Sequence, residues 1–212
     1  MLSTSPTNNA EYFAKFPPFD KMAKPTAILV DEKTEKMFSD LGIKDSKKIS
    51  DKKILELEKV IKANAVHSVV AISNSRYNEL YANIKNLNKL LAWGHARVIE
   101  NICENHKCDY ALSDKFGDES LIKSALMKNG RNIELRQMVK AESADIAVAA
   151  ASVLARATYV RKMAEMEEKY GLKFQKGCSD LVKVVAKDFI SKYGKENLKE
   201  VCKTHFKTYN EV

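Results

Sequence analysis

Two carboxylates stand out by where they fall in the chain. Asp114 closes the short apolar run Tyr110 to Asp114, and Glu142 follows the alternating run Ile133 to Val139 and precedes a long stretch of small residues. A carboxylate where an apolar strand runs out is placed to point into a crevice rather than into the core. One at the start of a helix faces the positive end of the helix dipole. Two such groups on neighbouring elements begin a divalent-metal site, because Mg²⁺ prefers oxygen ligands and keeps several waters while engaging phosphate. A two-ion centre, with ions roughly 3.5–4 Å apart, normally needs three or four carboxylates. Taken singly, Asp114 also reads as a surface residue opening a loop and Glu142 as a helix-capping charge, so their chemistry depends on their convergence.

Cations accompany the acids. The loop Asp45-Ser46-Lys47-Lys48 follows a glycine and offers two ammonium groups and a hydroxyl, a composition suited to holding phosphate. Lys173 and the pair Lys176-Gly177 offer contacts of the same kind farther along. The chain carries 36 Lys and Arg against 28 Asp and Glu, a formal charge of +8. Such an excess favours polyanionic partners through phosphate neutralisation and counterion release, although a solvated lysine surface gives the same count. His95 and His205 are read as structural, since neither lies within metal-ligand spacing of another histidine. Cys103, Cys108, Cys178 and Cys202 form no C-x-x-C pair, and the chain has neither a signal peptide nor a long apolar run. Reduced thiols, a cytoplasmic location and no membrane segment are expected.

These residues need elements to position them. At 212 residues, one domain is expected. Residues 1–23 read as an irregular lead-in, because Pro17-Pro18 obstruct both helix and central strand, and the folded domain spans 24–212. Within it the pattern predicts a strand at Pro25 to Val30 and a helix capped by Thr34 that stops at Gly42. A helix after Ser50 carrying Ile54, Leu57, Val60 and Ile61 then leads into a strand at Val66 to Ile72. Tyr77 to about His106 reads as one helix, with Gly94 marking a close approach. The strand ending at Asp114, a helix from Glu119 to Asn129 and the strand Ile133 to Val139 follow. A helix from Glu142 to Tyr170, buried over Ile146 to Ala155, precedes helical stretches at Leu181 to Tyr193 and Lys195 to Cys202. Strands alternating with helices define an α/β domain whose ligands gather where strands end.

Several segments occur in a distinctive order: Leu41-Gly-Ile-Lys-Asp-Ser-Lys-Lys48, Tyr77-Asn-Glu-Leu-Tyr81 and Asn86-Leu-Asn-Lys-Leu-Leu-Ala-Trp-Gly-His-Ala96. Asp114-Lys-Phe116, Lys140-Ala-Glu-Ser143, Ala147-Val-Ala-Ala-Ala-Ser-Val-Leu-Ala-Arg156 and His205-Phe-Lys-Thr208 continue the series. Over about residues 27 to 210 the chain closely resembles the type 2 ribonucleases H, and the ribonuclease HIII branch in particular. The resemblance implies a ribonuclease H-like mixed β-sheet flanked by helices, with a helical C-terminal part. It implies endonucleolytic hydrolysis of the RNA strand of RNA–DNA hybrids with Mg²⁺ or Mn²⁺; separately, a monomer is expected. Asp114 and Glu142 become the third and fourth metal-site carboxylates and the catalytic pair, while Ser46, Lys47, Lys48, Lys176 and Gly177 face the substrate.

The chain departs from the family pattern in its opening segment. The family's first two carboxylates sit in an Asp-Glu-x-Gly-x-Gly motif on the opening strand, and the first glycine here is Gly42. Counting back from Val30 without gaps puts Tyr12-Phe13 at the two acids and Lys15 and Pro17 at the glycines, with Glu11 and Asp20 the nearest replacement acids. The family's Pro-Lys-Gly-Ala-Gly loop reads Gln175-Lys-Gly-Cys-Ser179, and no counterpart of the HIII branch's N-terminal hybrid-binding domain is present in the sequence. Three expectations follow: a full or weak hybrid-cleaving nuclease, a degenerate relative that binds hybrid without cutting it, or a chain whose start is not the biological one.

Overall fold

The computed structural model describes residues 2–5, 24–44, 46–175 and 180–212. Its centre is one five-stranded sheet built from β1 (Leu2–Ser5), β2 (Thr26–Leu29), β3 (His67–Val69), β4 (Tyr110–Asp114) and β5 (Glu134–Met138), in the order β3-β2-β1-β4-β5. β1 runs antiparallel to β2, with Ser3 opposite Ile28, and parallel to β4, with Ser3 opposite Leu112. β3 is antiparallel to β2, and β5 is parallel to β4, with Asp114 opposite Met138. The expected mixed sheet flanked by helices is therefore present.

Strand β1 corrects the expectation of an irregular lead-in. Leu2–Ser5, inside the stretch read as structureless, supplies the central strand. Its sequence, Leu-Ser-Thr-Ser, has no apolar alternation and becomes a strand only because β2 and β4 present complementary edges to it. Tyr12-Phe13, Lys15 and Pro17, the positions counted back from Val30, lie outside the described residues. Thr4 stands opposite Ser113, so the next step of the register sets Ser5 beside Asp114, and this strand carries no acid. Glu11, Asp20, Lys176 and Gly177 lie outside the described residues.

Alternate residues of β2 serve opposite faces, as a twofold side-chain period requires. Ile28 and Val30 pack on one side, and Ala27 and Leu29 on the other. The first side is covered by α1 (Glu32–Asp40), α2 (Asp51–Asn64) and the long α7 (Ile146–Tyr170). Between Ala147 and Ala157 almost every residue of α7 is buried, and small side chains let this helix lie close over β1 and β2. The second side holds α4 (Leu87–Cys103) and α5 (Glu119–Ala125). Here Gly94 does what its position suggested: a Cβ on it would fall 2.2 Å from Pro25 Cγ, so only glycine lets α4 cross the start of β2.

Local chemistry sets the remaining boundaries. Asp31, rather than Thr34, caps α1; its side chain accepts from the Thr34 amide while the Thr34 hydroxyl returns to the Asp31 amide, a reciprocal capping box. The helix stops before Gly42, whose φ of +66° suits glycine. Ser50 caps α2 as expected. The helix read from Tyr77 to His106 is two helices, α3 (Asn74–Ile84) and α4, parted by left-handed Lys85 and by Asn86, whose side chain accepts from the Lys89 amide. Likewise, the helix read from Glu142 is split. A one-turn α6 (Ala141–Ala144) comes first, then extended Asp145 caps α7 through the Val148 amide at 2.9 Å.

The C-terminal part is helical, with α8 (Asp180–Tyr193), a 3₁₀ segment at Lys195–Glu200 and α9 (Lys207–Asn210). It has its own core of Met163, Phe174, Val182, Phe189, Leu198 and Val201. Among the described residues Cys103, Cys108 and Cys202 are free thiols, and no helix is long and apolar enough to cross a membrane.

Candidate functional site

β4 and β5 run parallel and end side by side, so whatever follows them meets at one edge of the sheet. Asp114 is the last residue of β4 and is 9% exposed. Its Oδ1 accepts the amides of Lys115 and Ala141, each at 3.2 Å. The Lys115 amide also reaches the Met138 carbonyl at 3.0 Å, tying the ends of the two strands together. Beyond β5 the chain turns at Lys140, whose φ of +56° is left-handed, and this turn aims the Ala141 amide back at Asp114. Glu142 is the next residue. Asp114 and Glu142 thus belong to one hydrogen-bonded corner, formed by a strand end and the one-turn helix α6.

The phosphate-type loop reaches the same corner. Residues Ser46–Lys48 form a 3₁₀ turn, and Lys47 Nζ donates to Glu142 Oε1 at 2.8 Å across 95 residues of sequence. The Glu142 side chain is 11% exposed and that of Lys47 62%, so a largely buried carboxylate meets an exposed ammonium. The turn itself is held by Arg156 of α7, whose guanidinium donates to the Ser46 carbonyl and, at 2.8 Å, to Asp51 Oδ1. Ser46 is buried, whereas Lys48 is exposed and lines a groove with Gly42, Lys44 and Lys53.

His95 is 1% exposed and stacks on Phe116 with ring centroids 5.0 Å apart. Burial pushes its imidazole down to about 3, so it is neutral and does not compete as a cation for the carboxylates. Both histidines sit in ring stacks. His205 stacks on Tyr81 at 4.0 Å, while Thr204 donates its amide to Asn78 Oδ1 at 3.0 Å. The segments Tyr77–Tyr81 and His205–Thr208, far apart in sequence, therefore close one packing unit that locks the C-terminal part onto α3. Burial, and then the charge of Lys203, pushes His205 down to about 4.

Among the described residues no three His, Cys, Asp or Glu side chains converge as a metal site. Asp114 and Glu142 can offer oxygen to one divalent ion that retains waters and engages phosphate. A two-ion centre needs more carboxylates than the described residues supply. Sequence reading assigned no role to Arg156, although a guanidinium ending a buried run of small residues signals that a partner must be waiting. It also set Glu142 at the N-terminus of the long helix. That place belongs to Asp145, and the separation lets α6 fold back onto Asp114.

A five-stranded mixed sheet in this order, covered by helices on both faces, is the ribonuclease H-like class of fold. Against Bst-RNase HIII, solved in complex with Mn²⁺, the chain superposes with a TM-score of 0.85 at 24% identity, covering 100% of this chain and 68% of that one. The model of the family Ribonuclease HII matches residues 25–209, and the chain belongs to that family. Its relatives include the ribonuclease HIII of Chlamydia felis (strain Fe/C-56), 43% identical over 184 residues, which are 86% of this chain and 61% of that protein. The ribonuclease HIII of Protochlamydia amoebophila (strain UWE25) is 39% identical over 172 residues, 81% of this chain and 57% of that protein. The chain thus spans about three fifths of the length of these relatives.

Proposed function

We propose that this chain hydrolyses the RNA strand of RNA–DNA hybrids endonucleolytically, in the cytoplasm and as a monomer. The observation that carries the reading is the corner at the ends of β4 and β5. There Asp114 accepts the Ala141 amide, and Glu142, the next residue, is met by Lys47. In this reading Asp114 and Glu142 hold Mg²⁺ or Mn²⁺, and a bound ion supplies an activated water and stabilises charge on the phosphate under attack. That Bst-RNase HIII was solved with Mn²⁺ supports the choice of ion. The two backbone amides on Asp114 orient it while leaving its other oxygen, Oδ2, for a ligand. Lys47 balances the charge of Glu142 and passes to a phosphate oxygen when the hybrid docks. Ser46, Lys48, Lys176 and Gly177 contact the nucleic-acid backbone in this reading.

The test is cleavage of a hybrid labelled on the RNA strand, with Mg²⁺, with Mn²⁺ and with chelator. Internal cuts in RNA alone, abolished by chelator, are expected. An intact hybrid at high protein concentration with either ion would overturn the reading. A second reading, a hybrid-binding relative that does not cut, is favoured by the acid-free strand Leu2–Ser5 at the position beside Asp114. Binding that survives chelation, with no cleavage under any condition, would select it.

A further inference from the structure

Lys47 and Lys48 are consecutive, yet they serve different places. Lys47 turns to Glu142, whereas Lys48 lines an open groove of about 270 Å³ between the Gly42 turn and the start of α2. Lys44 and Lys53 complete its cationic wall, Ser50 lies at its edge, and Ile49 and Leu57 contribute apolar surface. Among the described residues, no acidic side chain lines it. Lys53 Nζ also donates to Glu56 at 3.3 Å, in a pair more than half exposed on both sides. Such a pair is weak and readily exchanged for a stronger anion. The start of α2, a 14-residue helix capped by Ser50, adds positive potential at the same edge. Arg156 holds the 3₁₀ turn that links groove to corner, so the two sites keep a fixed relation.

We propose that this groove is a second phosphate subsite, separate from the carboxylate corner, which takes the phosphodiester backbone of a nucleic-acid strand whose neighbouring phosphates lie at Asp114 and Glu142. Among the described residues its lining offers no aromatic ring to stack a base and no amide or carboxylate side chain to read a base edge, so it fixes register without reading sequence. The inference rests on the nucleic-acid partner proposed above but not on cleavage.

The experiment is fluorescence-anisotropy binding of an RNA–DNA hybrid and of a DNA duplex in chelator, across a salt series, to the wild-type chain and the double variant Lys44→Ala/Lys53→Ala. Lys59→Ala, on α2 away from the groove, is the control. Each lost phosphate contact lowers the slope of log affinity against log salt by about 0.9. The double variant should therefore lose about 1.8 from the slope on both duplexes, so that its deficit relative to wild type shrinks about twelvefold between about 50 and 200 mM salt. Lys59→Ala should keep the wild-type slope, and a Lys44→Arg/Lys53→Arg chain should recover it. An unchanged slope in the double variant overturns the proposal. So does a deficit confined to inorganic pyrophosphate with duplex binding intact, which would make the groove a site for free phosphates. Binding of neither duplex by wild type removes the groove and the proposed function together. Binding without cleavage in any metal removes only hydrolysis and leaves the slope to decide the groove.

Discussion

Replacing Asp114 by Asn isolates its charge from its structural role. The amide keeps the size of the side chain and an Oδ1 that still accepts from Lys115 and Ala141, both at 3.2 Å. Hydrogen bonds to a charged group contribute about 1.5–3 kcal/mol against about 0.5–1.5 kcal/mol for neutral ones. Two long bonds weakened this way should remove about 1–2 kcal/mol of stability, a fall in Tm of about 3–6 °C for a chain of this size. The chemistry loses far more. A ligand charge withdrawn from a metal-assisted step forfeits several kcal/mol of transition-state stabilisation, and about 4 kcal/mol is about a thousandfold in rate. Single-turnover cleavage of an end-labelled hybrid with Mn²⁺, beside thermal melts and binding in chelator, separates the two effects. Expected are a folded variant, near-normal binding and cleavage reduced about a thousandfold. Cleavage at the wild-type rate would remove Asp114 from the reacting centre. Lost cleavage together with lost folding would show that the side chain is a structural corner. Asp114→Ala should be less stable than Asp114→Asn by about a further 1–3 kcal/mol, because the buried Ala141 amide then has no acceptor.

Arg156→Ala releases the 3₁₀ turn from both of its anchors and should destabilise the chain by about 1–3 kcal/mol in urea unfolding. It should also raise the KM for hybrid, since Lys47 and Lys48 ride on that turn. Acid should unfold the protein partly through His95. Its imidazole takes a proton near pH 6.5 when unfolded but only near 3 when folded, so the unfolded state binds the extra proton between those values. Stability is then lost as pH falls below about 6.5, by about 1.4 kcal/mol per unit from this group, and His95→Phe should flatten that slope in melts run from pH 7 to 4. Gly94→Ala sets a Cβ against Pro25 and should lower the urea midpoint by the equivalent of about 1–3 kcal/mol or more, whereas Gly171→Ala, with open space around it but a φ of +57°, should lose only the backbone penalty of about 1–2 kcal/mol.

Much of the site was legible from residue order because its causes are local. Tyr110 to Asp114 is apolar until its last residue, and the strand ends there. Gly42 and Ser50 end and begin helices through their own backbone freedom and side-chain reach, and the small residues of Ile146 to Ala155 announce a close-packed helix. The motifs that run from Leu41 to Thr208 brought the family into view, and with it the expectation that residues 114 and 142 act together.

Only the folded chain could decide the rest, because those features depend on contacts between distant residues. Leu-Ser-Thr-Ser has no preference strong enough to announce a central strand; the edges of β2 and β4 confer it. Asp145 breaks what reads as a continuous helix, and the resulting turn lets Ala141 reach back to Asp114. Nothing in a run of two lysines says that one will face Glu142 and the other a groove, since that division is set by Arg156 holding the turn 110 residues away. Local propensity names the elements and their ends, while the direction of each charged side chain follows from which partners the packed sheet and helices bring within reach.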